Sequence, residues 1–201
     1  MRYLSVFNED YEILKALSDI HLRGEWYDLD CTYSKGVFYK NIPSPKLKSD
    51  LYPQNKENLF GDYIIKANSN DLHFLNDGEI KSIIFDPPFL FRNRKSDNND
   101  KISSRFTCFN SYDELTNMYD SSLKEFNRVL KKGGYVFFKC QDMTDGKFYD
   151  THIEIVNMAK KYHFQLKDIA IKSSNKKLQR DAIQQNCVAK VHSYWLVLKK
   201  V

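Results

Sequence analysis

The chain has 201 residues, of which 42% are apolar, 28% charged and 14% aromatic, with a formal net charge of +5. This is the composition of one globular domain spanning 1–201. Seven Gly and five Pro exclude a collagen-like chain, and no run approaches the roughly 18 uncharged apolar residues of a membrane-spanning helix.

The first ten residues turn acidic at Glu9 and Asp10 before an apolar segment can form, so no secretory signal is expected and a cytosolic setting is. Cysteines stand at 31, 108, 140 and 187 with no C-x-x-C pair, so reduced thiols are expected and a zinc site is not. The mild positive charge permits an acidic partner such as nucleic acid without demanding one.

In chain order, Tyr11, Leu14, Leu17 and Ile20 fall at helical spacing and predict a helix over 9–22. Residues 26–30, 47–51 and 62–66 read as short strands. Ser82-Ile83-Ile84-Phe85 reads as a buried central one, β-branched and uncharged. Residues 90–110 are polar, rich in Asn and Ser, and read as a long loop of functional type. Ser111 and Glu114 form a capping box for a helix over 112–131, and Lys131, Lys132 and Gly133-Gly134 suit its end. Tyr135-Val136-Phe137-Phe138 is the next buried strand. Thr151 and Glu154 suggest a second capping box, for a helix to about 162. Residues 164–171 and 193–198 close the series as strands. Strand–helix alternation predicts an α/β fold with a mostly parallel sheet covered by helices on both faces. The last two strands have no helix between them, so they should pair antiparallel.

Asp86-Pro87-Pro88-Phe89 follows the central strand directly. A given tetrapeptide occurs by chance in a chain this long with odds of about one in a thousand. Pro-Pro ends the strand, stiffens the chain and removes two backbone donors. What remains is an edge of acceptors, the Asp86 carboxylate and the proline carbonyls, with an aromatic ring beside it. Such an edge suits a planar ligand that carries an exocyclic NH2 group. The bland alternative is a tight turn with Asp as a local cap. Placement at the carboxyl end of a parallel strand favours the ligand-binding reading.

These residues resemble the motif of class I S-adenosylmethionine-dependent amino-methyltransferases, which modify exocyclic amino groups of DNA or RNA bases. Asp30-Cys31-Thr32-Tyr33-Ser34-Lys35-Gly36-Val37-Phe38-Tyr39 resembles the cofactor loop of small bacterial and phage DNA methylase-like proteins. Lys132 to Asp142 and His192 to Val197 resemble two of their later strands. Cys31 and Ser34 replace the Pro and Gly usual in that loop. The resemblance implies a Rossmann-like seven-stranded sheet and S-adenosylmethionine as cofactor, with no metal. It implies Asp86, Pro87, Pro88 and Phe89 as the catalytic edge. It also implies Asp30, Thr32, Tyr33, Ser34, Lys35, Gly36 and Asp50 at the cofactor, with Asn68 or Asp71 at its adenine.

Adenine N6 in DNA is the expected target. An RNA base is the alternative, with a small molecule or a protein glutamine behind it and a silent binding module last. Arg92, Arg94, Lys95 and Arg105 in the long loop, Lys139 after the next strand, and Lys176, Lys177 and Arg180 in the last connection are expected at phosphates, or are a solvated surface. Lys139 and Asp142 could equally line the base pocket or form a surface ion pair. Phe91 and Phe106 could stack on a base or anchor the loop. A chain of this length leaves almost no room for a separate target-recognition domain, so either the two basic loops read the sequence, or specificity is loose, or a partner chain or a second copy (a homodimer) provides it.

Overall fold

A computed structural model describes residues 2–54, 61, 63–91, 109–174 and 188–201. Ten strands and three helices run in the order β1 (Val6–Phe7), α1 (Asp10–His21), β2 (Leu29–Asp30), β3 (Leu47–Asp50), β4 (Ile65–Lys66), β5 (Ile80–Phe85), α2 (Tyr112–Val129), β6 (Leu130–Cys140), β7 (Met143–Asp145), β8 (Lys147–Tyr149), α3 (Thr151–Lys161), β9 (Phe164–Ser173) and β10 (His192–Lys200). Eight of them form one sheet in the order β1-β9-β10-β6-β5-β2-β3-β4. All neighbours pair parallel except β10, which is antiparallel to both β6 and β9.

The sheet therefore has eight strands rather than seven. The extra one is β1, a two-residue edge strand beside β9. So short a strand carries no periodicity, and only the neighbour at Ile171 and Lys172 makes it one. No helix among the described residues is long and apolar enough to cross a membrane.

Adjacent side chains on a strand face opposite ways, and β6 shows what this does. Phe138 packs with Phe85, Tyr119 and Phe126 under α2, whereas Phe137 packs with Tyr27, Trp195 and Leu14 of α1 on the other face. The rings meet edge to face, Phe85 with Phe138 at 4.8 Å and Tyr27 with Phe137 at 4.9 Å. Each buried ring of this size contributes about 2 kcal/mol through removal from water. Helices thus cover both faces.

Two helix ends differ from expectation. At α2 the Glu114 N–H donates to Ser111 Oγ at 3.1 Å, while the Glu114 carboxylate takes the Asn110 N–H rather than that of Ser111. The helix stops at Val129, because Leu130 is already extended. Gly133-Gly134 does not cap it. The pair forms a bulge in β6, where the four residues between Leu130 and Tyr135 oppose the single Lys81 of β5. Gly133 has φ 81°, and a Cβ on Gly134 would stand 2.9 Å from the carbonyls of Lys131 and Lys81. The last carbonyls of α2 are met by the Lys200 ammonium, which bonds Asn127 O and Leu130 O. At α3 the cap position is Asp150, not Thr151. Thr151 and Glu154 instead bind the Tyr112 hydroxyl, tying α3 to α2.

Candidate active site

The chain runs β2, β3, β4 towards one edge and then returns to the far side of β2 as β5. That reversal opens a crevice between the carboxyl ends of β2 and β5, where open α/β sheets bind ligands. Two segments emerge there side by side: the loop 31–36 after Asp30, and Asp86-Pro87-Pro88-Phe89 after Phe85.

A chain of hydrogen bonds joins them. The Asp86 N–H donates to Thr32 Oγ1 at 2.8 Å. The Thr32 hydroxyl and N–H donate to Asp30 Oδ1 at 3.2 and 2.8 Å. The Tyr39 hydroxyl donates to Asp30 Oδ2 at 2.5 Å. Asp30 is 1% exposed, so it holds the two loops together from inside and offers no surface to a ligand. This corrects its expected place at the cofactor: both carboxylate oxygens are spent on the protein's own donors. Burial pushes its carboxyl up to about 7, against the pull of the Tyr39 and Thr32 bonds.

Tyr33 is buried too. Its ring stacks on Tyr39 at 5.3 Å, and its hydroxyl meets Ser44 Oγ at 3.1 Å. Gly36 turns the loop at φ 70°, and a Cβ there would lie 2.7 Å from the Tyr33 hydroxyl. Gly36→Ala should therefore cost roughly 1–3 kcal/mol, from the left-handed backbone and the displaced ring together. A urea titration measures it; an unchanged midpoint would show that the loop re-forms without strain. Ser34 has φ 50°, a conformation that glycine adopts more readily. Its N–H donates to Asp50 Oδ2 at 2.8 Å, and Tyr52 N–H takes Oδ1 at the same distance. Asp50, half-buried at the end of β3, thus presents its carboxylate on a fixed frame, with its pKa raised by burial. Asn68 follows β4 and forms a tight turn with Asp71; the Asp71 side chain is 72% exposed. Thr32 and Lys35 are partly exposed on the same loop.

Around Asp86 the geometry is closer than the sequence suggests. Asp86 Oδ1 is buried with no hydrogen-bond partner among the described residues. Oδ2 stands 3.6 Å from the Lys139 ammonium. Burial pushes the Asp86 carboxyl up to about 6; Lys139 pulls it down and Asp10 pushes it further up. The Pro88 carbonyl accepts the Tyr119 hydroxyl at 2.8 Å, which pins the tetrapeptide to α2 and turns that carbonyl inward. Phe89 is half-buried beside Lys139.

Lys139 is expected at nucleic acid, lining the base pocket or forming a surface ion pair; the structure puts it beside Asp86. It is 8% exposed, in the middle of the site. Phe91 is buried against Tyr112 and Tyr149 and anchors the loop that follows. Asp142 is buried and binds His152 Nδ1 at 2.8 Å. Arg92, Arg94, Lys95, Arg105, Lys176, Lys177 and Arg180 lie outside the described residues, as does Phe106.

Three side chains escaped the sequence reading. Asp10 reaches the site from α1, Tyr119 from α2, and Trp195 from β10. Only Trp195 carried a signal, since a buried indole N–H needs an acceptor; it donates to Asp10 Oδ1 at 2.9 Å.

A family model described as DNA methylase (N6_N4_Mtase) matches residues 80–200, over half of the chain and the stretch from β5 through β10. No curated protein gives a significant match. Among solved structures, a methyltransferase from Archaeoglobus fulgidus that depends on S-adenosylmethionine aligns at TM-score 0.53 and 14% identity, covering 94% of each chain. The 1,6-didemethyltoxoflavin-N1-methyltransferase of Burkholderia thailandensis aligns at 0.55 and 12%, covering 95% of this chain and 78% of that one. A proposed DNA modification methylase of Thermus thermophilus, complexed with S-adenosyl-L-methionine, gives 0.48 and 15%, covering 67% and 53%. The chain spans about half the length of the Thermus structures it matches. At these identities the likeness is one of fold: the mixed sheet with helices on both faces is that of class I methyltransferases.

Proposed function

Since the chain belongs to the DNA methylase family, we propose that it transfers a methyl group from S-adenosylmethionine to an exocyclic amino group of a nucleic-acid base, adenine N6 in DNA. The observation that carries this reading is Asp86 Oδ1, a buried acceptor at the carboxyl end of β5 without a donor among the described residues. An amino group on a planar base is the donor it lacks, and Phe89 beside it offers a ring to stack on.

The residues suit the cofactor as well. Asp50, fixed by two N–H donors and half-exposed, has the acceptor chemistry for ribose hydroxyls. Asn68, just after β4, offers a side-chain amide for adenine, and Ser34, Lys35 and Gly36 lie in the loop at the crevice. When bound, S-adenosylmethionine supplies a methyl group already activated on a sulfonium.

The chain's own residues deal with the nucleophile. An exocyclic amine is conjugated with its ring, and its lone pair is poor. Hydrogen bonds to Asp86 and to the Pro87 carbonyl draw the nitrogen towards tetrahedral geometry and free that pair. Phe89 sets the base plane. As nitrogen becomes cationic, the Asp86 carboxylate faces the developing charge. Positioning and electrostatic stabilisation together carry the rate. Arg92, Arg94, Lys95, Arg105, Lys176, Lys177 and Arg180 are proposed as phosphate contacts, and a second copy or a partner chain as a contributor to target choice.

The test offers labelled S-adenosylmethionine to unmethylated duplex DNA, single-stranded DNA and total RNA in parallel, followed by nucleoside digestion and mass spectrometry. Label in N6-methyladenine from DNA is the expected result. Label confined to RNA would move the target to an RNA base. No label in any nucleic acid would overturn the reading.

A further inference from the structure

The Lys139 ammonium sits in an unusual cage. Asp10 Oδ1 lies 3.1 Å from it and Asp86 Oδ2 3.6 Å. The rings of Phe38, Trp195 and Phe89 stand 4.7, 5.6 and 5.9 Å from it to their centroids. Aromatic faces attract a cation, and a desolvated ammonium needs such partners. Asp10 is itself held by the Trp195 indole N–H at 2.9 Å, with the Lys172 ammonium at 3.9 Å from its other oxygen. Every part of the cage is side chain, and its members come from α1, the loop after β2, β5 and its loop, β6, β9 and β10.

A lysine so confined cannot swing out to solvent. Its two carboxylates are not equivalent. Asp10 has an indole N–H, Lys139 and Lys172 to satisfy it, whereas Asp86 has Lys139 at one oxygen and, among the described residues, no donor at the other.

We propose that Asp10 and Lys139 are positioning residues: Asp10 fixes the Lys139 ammonium against one oxygen of Asp86, so that the carboxylate stays ionised and its other oxygen stays free to accept the substrate amine. The first helix is then part of the active site rather than a cover for the sheet. The inference rests on the reading of Asp86 given above.

Other charged or titratable groups also act on Asp86. Asp30 on β2 faces it through Thr32, and Tyr119 on α2 lies close by. Neither is altered in the test.

The two partners push Asp86 in opposite directions: the nearby cation favours its charged form, the nearby anion disfavours it. The Asp86 carboxyl is followed by 13C NMR across pH 3–9 in protein labelled at aspartate, with Asp86→Asn to assign the signal. No methyl transfer is needed, so a wrong substrate does not affect the result. Lys139→Met should raise the Asp86 midpoint from about 6 by roughly one pH unit or more. Lys139→Arg should restore most of it. Asp10→Asn should move it less than Lys139→Met does, because loss of the anion lowers the midpoint while loosening of the ammonium raises it. Circular dichroism checks that each variant is folded; if Lys139→Met does not fold, Lys139→Gln replaces it. In active protein, the acid limb of methyl transfer should move with the NMR midpoint. A midpoint unmoved by loss of the Lys139 charge, or methyl transfer in Asp10→Asn equal to the parent at every pH, would overturn the proposal.

Discussion

Asp86→Ala is expected to lower methyl transfer by roughly 10^3-fold, the scale seen when a preorganised partner of developing charge is removed. The fold should survive, because Asp86 is tied to Thr32 through its backbone N–H, which alanine keeps. Asp86→Asn should be as slow, for a neutral amide cannot face a developing ammonium. It should also be more stable than the parent above pH 6. The sign follows from linkage. The Asp86 carboxyl titrates higher in the fold than in the unfolded chain, at about 6 against 3.8. Its protonated form is therefore the one the fold prefers, and its contribution is lost as pH rises from about 4 through 6. Asparagine has no such loss. Lys139 keeps Asp10 at 3.1 Å when Asp86 is neutralised, so the ammonium is not orphaned. Activity and thermal midpoint would then move in opposite directions, as at sites where function is held against stability. Substantial turnover in Asp86→Ala would sink the proposed chemistry.

Tyr39→Phe should destabilise the protein by about 2 kcal/mol, the cost of removing a donor from a buried charged group. The stacking of this ring on Tyr33 is retained, so the loss reports the bond to Asp30. The effect should depend on pH. Asp30 titrates at about 7 in the fold, raised mainly by burial, so its stabilising share is lost as pH climbs from about 4 to 7. The parent should accordingly have a lower thermal midpoint at pH 8 than at pH 5. Tyr39 holds the Asp30 carboxyl down, and without it the ionised form becomes costlier still. The gap between variant and parent should thus widen from pH 5 to pH 8. Urea titrations at the two values measure it, and a gap that stays constant would show that Tyr39 acts by packing alone.

What the amino-acid sequence determined by itself is local or periodic. Runs such as Ile83-Ile84-Phe85 and Val136-Phe137-Phe138 declare buried strands, and the 3.6-residue spacing over 112–129 declares α2. Alternation of these elements implies the parallel sheet, and the missing helix before residue 193 implies the antiparallel end. The tetrapeptide at 86–89 was legible for the same reason: its chemistry lies in consecutive residues, and its place after β5 follows from one strand.

The tertiary structure alone decided everything that depends on distant pairs. Lys139 reads equally as a pocket residue or a surface ion pair until Asp10, 129 residues away in sequence, is found beside it. Asp30 reads as a ligand-facing acid until Tyr39 and Thr32 are seen to consume it. The Pro88 carbonyl reads as free until Tyr119 takes it. Gly133-Gly134 reads as a helix end, because glycine suits a cap and a bulge equally; only the register of β6 against β5 distinguishes them. Charge and hydrogen-bonding capacity are properties of a residue, but whether they face solvent, substrate or another side chain is set by which strands the sheet brings together.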